Sequence, residues 1–302
     1  MPLSNPLVID AAAEFIPVAI YNNVKGKDAE VLKRFGEPAW NNPVVRFVNA
    51  DGNDLIPRKD GVYATGPLVG RMVAALKAAK RTVPAWLELV AFEMSPQKPE
   101  RATFAMFCYW TGEKELGRLE GVLGTGIGHL GRYEVVEVLY DAAVVDYRRL
   151  VEQANKAKCA GRVFARTDQQ AEMAKAVVGA EQVERSDEAT KHILPQYHLQ
   201  QAPHYYFAPL TPLQATKANV AIADRKSPDS SLSPSQLAFK DRMQKLLSNQ
   251  GQAKAVVERL QVLRPERCRY NRQESAADYT QRLDALLREL EAPPRGKAQG
   301  KP

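Results

Sequence analysis

Cysteine and histidine are scarce in this chain, and their scarcity excludes several kinds of site. The 302 residues include three cysteines and four histidines. Cys108, Cys159 and Cys268 are too few and too far apart for a disulfide-based scaffold or a zinc site with four thiolate ligands. Since the histidines share no helical metal-ligand spacing with them, we predict no metal site and expect any role of the thiols to be reactive.

Long apolar runs are missing as well. No stretch approaches the roughly 18 apolar residues of a membrane-spanning helix, and the N-terminal sequence lacks the basic flank and apolar core of a secretory signal. The net charge of +7 arises from 42 basic and 35 acidic side chains that are mixed along the chain. Such mixing indicates solubility rather than nucleic-acid binding. We expect a cytoplasmic protein with no membrane partner.

Composition and length indicate a globular protein with more than one domain. Hydrophobic residues make up 45% of the chain and charged residues 25%, which is ordinary for soluble domains. We expect an α/β and α+β protein. The predicted division is residues 1–95, 100–240 and 241–302.

The segment 1–95 resembles the later part of a thioredoxin fold in the order of its elements. Its pattern predicts a strand, a helix, a hairpin of two strands and two helices, at residues 15–21, 27–35, 43–56, 67–80 and 84–94. Asn42-Pro43 stands where the thioredoxin family has its cis-proline. Because no cysteine precedes Cys108, we predict a thioredoxin-like module without redox cysteines that docks or scaffolds.

The segment 100–240 has the element order of a split β-α-β (ferredoxin-like) fold. The predicted strands are 102–107, 122–127, 132–140 and 162–166, and the predicted helices are 110–120, 146–157 and 168–178. Residues 185–240 are polar and irregular in pattern, and they are expected to form a long, largely ordered arm that wraps over this domain. Helices 234–247 and 253–263, and an amphipathic helix after residue 276, predict a helical extension with a disordered tail.

Cys108 is the strongest candidate for chemistry. It follows an apolar strand and directly precedes a predicted helix, whose N-terminal amides favour a thiolate and lower the pKa of the thiol. In a sheet with strand order 4-1-3-2, the end of strand one lies beside the starts of strands three and four. Glu134 and Cys159 are therefore expected at the same edge as Cys108.

Both neighbours have a chemical use and an ordinary alternative. Glu134 lies on the strand face of Val136 and Val138, where burial would raise the pKa of its carboxyl and suit it to general acid catalysis. Cys159 is placed to attack an oxidised Cys108 and form a disulfide. A small buried hydrophobic residue is the ordinary alternative for each cysteine, and a half-exposed strand acid is the alternative for Glu134.

Residues 103–166 also carry a series of short motifs. They are Phe107-Cys108-Tyr109-Trp110-Thr111-Gly112-Glu113, Leu119-Glu120-Gly121-Val122, Gly131-Arg132-Tyr133-Glu134 through Tyr140-Asp141, and Val145-Asp146-Tyr147-Arg148-Arg149-Leu150. In order and spacing they resemble the A-type peptide-methionine sulfoxide reductases. Phe107 replaces a glycine of that family and Arg132 a histidine, and the family's Asp-x-Gly-Thr-Gln-Tyr-Arg motif is not visible before the fourth strand.

The resemblance implies a reductase mechanism and a set of site residues. It implies that Cys108 attacks the sulfur of a methionine S-sulfoxide in a peptide or protein while Glu134 protonates the oxygen. Tyr109 and Trp110 would hold the substrate's methyl group, and Tyr133 or His129 could substitute for a missing oxygen-binding group. No bound cofactor is implied, only an external reductant such as thioredoxin. Cys159 and Cys268 are the candidate resolving thiols.

Two other functions compete with this one. Split β-α-β domains also bind RNA through aromatic residues on the central strands, where this chain has Phe104, Phe107 and Tyr133. It lacks the Lys-Gly-Phe-Gly-Phe-like run of such domains, however. The second alternative is a non-catalytic thioredoxin-like scaffold or a divergent thiol oxidoreductase.

Overall fold

The chain divides into two compact units, residues 1–97 and 98–302. A computed structural model describes residues 2–38, 43–106, 108–192, 196–249, 251–263 and 276–292. The division falls in the segment between the first two predicted domains.

Helices provide nearly all of the regular structure described in the first unit. The elements are a 3₁₀ turn (Pro2–Ser4), α1 (Pro6–Ala12), α2 (Lys27–Phe35), β1 (Val44–Val45), β2 (Lys59–Asp60), α3 (Thr65–Ala78) and α4 (Ala85–Met94). Apolar side chains of α1, α3 and α4 form a common core that includes Leu7, Leu68, Leu76, Leu87 and Val90. This core depends on packing between helices.

The prediction of a strand at residues 15–21 is wrong. Residues 16–21 have no ladder partner and are exposed, and Pro17 lacks the N–H that a ladder needs. The predicted hairpin is reduced to the two-residue pair of β1 and β2 and an isolated bridge between Val48 and Asp54. The thioredoxin-like module is therefore not confirmed. The prediction that Asn42-Pro43 corresponds to the thioredoxin cis-proline involves Asn42, which lies outside the described ranges.

The second unit is built around a six-stranded sheet. Its strands are β3 (Pro99–Ala105), β4 (Val122–Leu130), β5 (Tyr133–Asp141), β6 (Arg162–Ala165), β7 (Val183–Arg185) and β8 (Lys191–His192). The order is β7-β6-β3-β5-β4-β8, with only β6 and β7 parallel. The middle four strands have the order that the sequence predicted.

Three helices follow the sheet strands in the predicted order. They are α5 (Tyr109–Gly117), α6 (Tyr147–Lys156) and α7 (Asp168–Val178). The Asp146 carboxylate accepts the N–H of Arg149 at 2.7 Å and caps the start of α6. Alternate residues of β3 and β5, such as Phe104 and Val136, are fully buried with α5 and α6 in one core.

About half of the segment 185–240 is helical, which corrects the expectation of an irregular arm. The remaining elements are 3₁₀ turns Ala180–Gln182 and Asp229–Ser231 and helices α8 (Tyr197–Gln200), α9 (Pro203–Tyr206), α10 (Pro212–Ala223), α11 (Pro234–Ser248), α12 (Ala253–Val262) and α13 (Ala276–Glu291). A second core joins residues from Leu199 to Leu287. The predicted boundary between residues 240 and 241 falls inside α11, so helices on both sides of it share this core. Among the described helices, none is long and apolar enough to cross a membrane.

Candidate active site

Cys108 is the N-cap residue of α5. Its backbone is extended, with φ −134° and ψ 95°, and α5 begins at the next residue. β3 ends at Ala105, and the Met106 N–H donates to the Glu134 carbonyl at 3.4 Å. The central strand therefore delivers the thiol directly to the start of a helix, as the sequence predicted.

The surroundings of Cys108 favour its thiolate. Burial raises the pKa of this half-buried thiol, but the Thr111 hydroxyl and the backbone N–H groups of Thr111 and Trp110 lower it by more. The hydroxyl lies 3.5 Å from the Cys108 sulfur. The net result is a pKa below the ordinary cysteine value, so Cys108 has the character of a nucleophile.

Cys159 has the opposite character. It is 2% exposed and belongs to the core between the sheet and its helices. Its thiol donates to the Ala157 carbonyl at 3.3 Å. Burial, followed by the charges of Cys108 and Glu115, raises the pKa of Cys159 to about 11. Both thiols are free.

Glu134 lies at the expected edge but is exposed. It is the first acidic residue of β5 and pairs with His129 on β4. Val136 and Val138 on the same strand face are fully buried, so the buried row begins two residues after Glu134. The expectation of a desolvated carboxyl at this position is wrong, because the strand end is open to water.

Aromatic rings gather beside Cys108 on the first turn of α5. Trp110 is 39% exposed, and its ring makes an edge contact with Tyr109 at a centroid distance of 6.0 Å. A third ring comes from Tyr197 at the start of α8. It stacks on Trp110 at 3.7 Å with an interplanar angle of 8° and meets Tyr109 at 6.4 Å.

Tyr133 is not part of this aromatic group. It packs with Phe164 at 5.6 Å in a small cluster with Ala105 and Val135. These residues alternate along their strands with those that face α5, so the Tyr133 ring lies on the other face of the sheet. Its prediction as a substrate-binding residue conflicts with this position.

Three residues near the site were missed by the sequence analysis: Thr111, Glu113 and Tyr197. The Glu113 side chain is completely buried, and burial raises the pKa of its carboxyl to about 7 although the N–H groups of Tyr197 and Gln196 oppose this effect. Thr111 follows Cys108, the N-cap residue, by three positions, and this spacing was visible in the sequence. The contacts of Tyr197 span more than 80 residues and had no local signal.

Metal ligation has no candidate within the described part of the chain, where no cluster of three or more His, Cys, Asp or Glu residues could hold an ion. Cys268, the other predicted resolving thiol, lies outside the described residues.

The fold and the site define a thiol-bearing α/β unit, in which a cysteine that favours its thiolate begins a helix after a central strand. Part of the chain is similar to proteins described as peptide methionine sulfoxide reductase MsrA. Identity is 35% over 77 residues with that of Methanoculleus marisnigri, 36% over 69 residues with that of Geobacter metallireducens and 30% over 70 residues with that of Methanococcoides burtonii. These matches cover 20%, 17% and 18% of this chain and 47%, 43% and 46% of the relatives.

The chain thus contains an MsrA-like region and spans less than half the length of the relatives that it matches. No family model matches the chain.

We expect the two described thiols to react with iodoacetamide at very different rates. At about pH 8, a thiol with a pKa of about 11 is a thiolate in only about one molecule in a thousand, so Cys159 should react slowly. Cys108 should react first, and its rate should level off at a lower pH than that of an ordinary cysteine. Peptide mass spectrometry in a Cys268→Ser background measures both rates.

Thr111→Val provides the matched control, since it keeps the shape and removes the hydroxyl. It should raise the pKa of Cys108 and shift its rate profile to higher pH. Equal rates for the two thiols would contradict the electrostatic description of the site.

Proposed function

We propose that the protein is a thiol-dependent oxidoreductase that reduces the S epimer of methionine sulfoxide in peptides or proteins. The observation that carries this proposal is Cys108, whose pKa is lowered at the start of α5, in a chain with a region similar to MsrA proteins. Trp110 and Tyr109 offer an aromatic surface beside the thiolate that suits the methyl group of the substrate.

The first chemical step transfers oxygen from the substrate to Cys108. The thiolate attacks the sulfoxide sulfur, a proton is supplied to the oxygen, and methionine leaves as the thioether while Cys108 becomes a sulfenic acid. Cys108 is oxidised by two electrons and the substrate sulfur is reduced by two. Glu134 remains the proposed proton donor because its backbone pairs beside the end of β3.

The second step regenerates the thiol through a disulfide. A thiolate of Cys159 or Cys268 attacks the sulfenic acid sulfur, forms the disulfide and displaces hydroxide, which takes up a proton to become water. Burial is the largest cause of the raised pKa of Cys159 and the charge on Cys108 is the next. Conversion of the Cys108 thiolate to a neutral sulfenic acid removes the second of these causes. Cys159 should therefore ionise more readily just when a thiolate is needed.

The cycle then requires an external electron donor and no bound cofactor. A thioredoxin-type dithiol reduces the disulfide in two exchange steps and becomes a disulfide itself. Oxidised peptides and this reductant are the proposed partners, and a reducing compartment such as the cytoplasm would supply them.

An RNA-binding role is less compatible with the central strands. Phe104 is fully buried in the core between the sheet and its helices, so it is not displayed to solvent. Tyr133 is packed against Phe164 and flanked by Arg132 and Arg162. Base stacking needs free ring faces, and the described aromatic residues of these strands do not offer a continuous set of them.

Turnover of a peptide that contains methionine S-sulfoxide, with dithiothreitol as reductant, is the primary test. Cys108→Ser should abolish it, because a serine hydroxyl cannot attack the sulfoxide sulfur and accept the oxygen as the Cys108 thiolate does. Cys159→Ser is the matched control and should retain turnover, since dithiothreitol can reduce the sulfenic acid directly. Wild-type chain without activity on either epimer, or full activity of Cys108→Ser, would contradict the proposal and favour a scaffold.

The role of Glu134 is tested by Glu134→Gln. If its carboxyl is the general acid, kcat should fall roughly 100-fold while the fold is retained, because the side chain is exposed. Glu188→Gln, at another exposed position, should leave kcat unchanged. Equal activity of both variants would exclude Glu134 from the proton transfer.

The resolving thiol is identified by one turnover without reductant. Mass spectrometry of the digested product should show a disulfide between Cys108 and either Cys159 or Cys268. Cys159→Ser and Cys268→Ser separate the two cases, because only one of them should leave Cys108 as a sulfenic acid that dimedone traps. Trapping in the unmodified chain to the same extent would argue against an internal resolving cysteine.

A further inference from the structure

The carboxylate of Glu113 holds a distant segment of the chain. Its Oε1 accepts the N–H of Gln196 at 2.8 Å and its Oε2 accepts the N–H of Tyr197 at 2.9 Å. These bonds join residues 83 and 84 positions apart. A fully buried carboxyl is costly unless its oxygens are bonded, so the two amides give Glu113 a specific docking role.

The docked segment is fixed by further contacts around this anchor. The Gln196 side-chain amide donates to the Thr125 carbonyl on β4 at 3.1 Å, and the Leu199 N–H donates to the Asn219 side chain on α10 at 2.9 Å. Gln196 itself has φ +55°, a conformation that costs free energy for a residue other than glycine. The bonds offset this cost and hold one backbone arrangement.

The consequence of this docking is the position of the Tyr197 ring. At 3.7 Å and 8°, the rings of Tyr197 and Trp110 are in van der Waals contact, so no substrate group fits between them. A substrate can therefore contact only the part of Trp110 that Tyr197 leaves open. Trp110 as a whole is 39% exposed. Tyr197 limits both the orientation and the accessible face of that ring.

The geometry of α5 connects the anchor with the stack. Glu113 follows Tyr109 by four positions and Trp110 by three, so the three side chains lie on the same side of the helix. The amides bonded by Glu113 belong to the segment whose ring covers Trp110. The same side of α5 thus carries the rings of Tyr109 and Trp110 and the carboxylate of Glu113, which holds the segment whose ring covers Trp110.

We propose that Tyr197 and its anchor Glu113 are positioning residues of the Cys108 site, which orient the Trp110 ring for a sulfoxide substrate. This inference rests on the proposed function for its substrate, although the ring orientation itself does not. Loss of the stack frees the Trp110 side chain and weakens substrate binding. The thiol chemistry of Cys108 is unaffected, because its activating groups are Thr111 and the backbone.

The test compares Tyr197→Phe, Tyr197→Leu, Tyr197→Ala and Glu113→Gln with Tyr63→Ala, which removes an exposed tyrosine of the first unit. In the turnover assay, Tyr197→Leu and Tyr197→Ala should raise KM about 3- to 10-fold, the range expected for a lost aromatic pair, with kcat nearly unchanged. Tyr197→Phe keeps the ring and should leave KM at its wild-type value. Tyr63→Ala should change neither constant.

Two measurements without substrate separate this inference from the proposed function. Acrylamide quenching of Trp110, taken as the difference from the matching Trp110→Phe chain, should rise in Tyr197→Leu and Tyr197→Ala because a second ring face becomes accessible. Hydrogen exchange of the 196–197 amides should accelerate in Glu113→Gln. Wild-type quenching in folded Tyr197→Leu would overturn the inference, whether or not the chain reduces sulfoxides.

Discussion

Helix α5 packs against the sheet at Gly112 with little space between them. A Cβ added there would overlap the flexible end of the Met106 side chain, which would have to move, and would lie 3.2 Å from the Val136 side chain. This close packing helps to set the start of α5 relative to the end of β3, and Cys108 occupies the short connection between them. The partial burial of the thiol and its approach to Thr111 depend on this packing, as does the side of the sheet on which the aromatic rings gather.

Local sequence patterns were sufficient for the four central strands of the second unit and for the place of Cys108 before a helix, and insufficient for β7, β8 and the surroundings of the thiol. Short apolar runs predicted the four central strands because the signal of each strand lies within its own segment. The same reasoning failed at residues 15–21, where apolar residues have no partner strand. It also placed Glu134 in a buried row, because alternation identifies a face but not where that face meets water. Tyr197 was missed because its docking depends on contacts more than 80 residues away.

The two described cysteines differ in the pKa of their thiols because their surroundings differ. Cys108 and Cys159 have the same side chain, but helix amides surround one and an apolar core surrounds the other. A low pKa at one thiol maintains the negative charge that helps to raise the pKa of its neighbour. The pair therefore favours a single thiolate, at Cys108, when both thiols are reduced.

The burial of Glu113 has a cost that the fold itself does not require, since an apolar residue could fill the same space between α5 and the docked segment. What an apolar residue could not do is hold the amides of Gln196 and Tyr197 in one register. That register determines which face of Trp110 remains open beside Cys108. The buried carboxyl of Glu113 is therefore better explained by its effect on the position of the aromatic rings than by a contribution to stability alone.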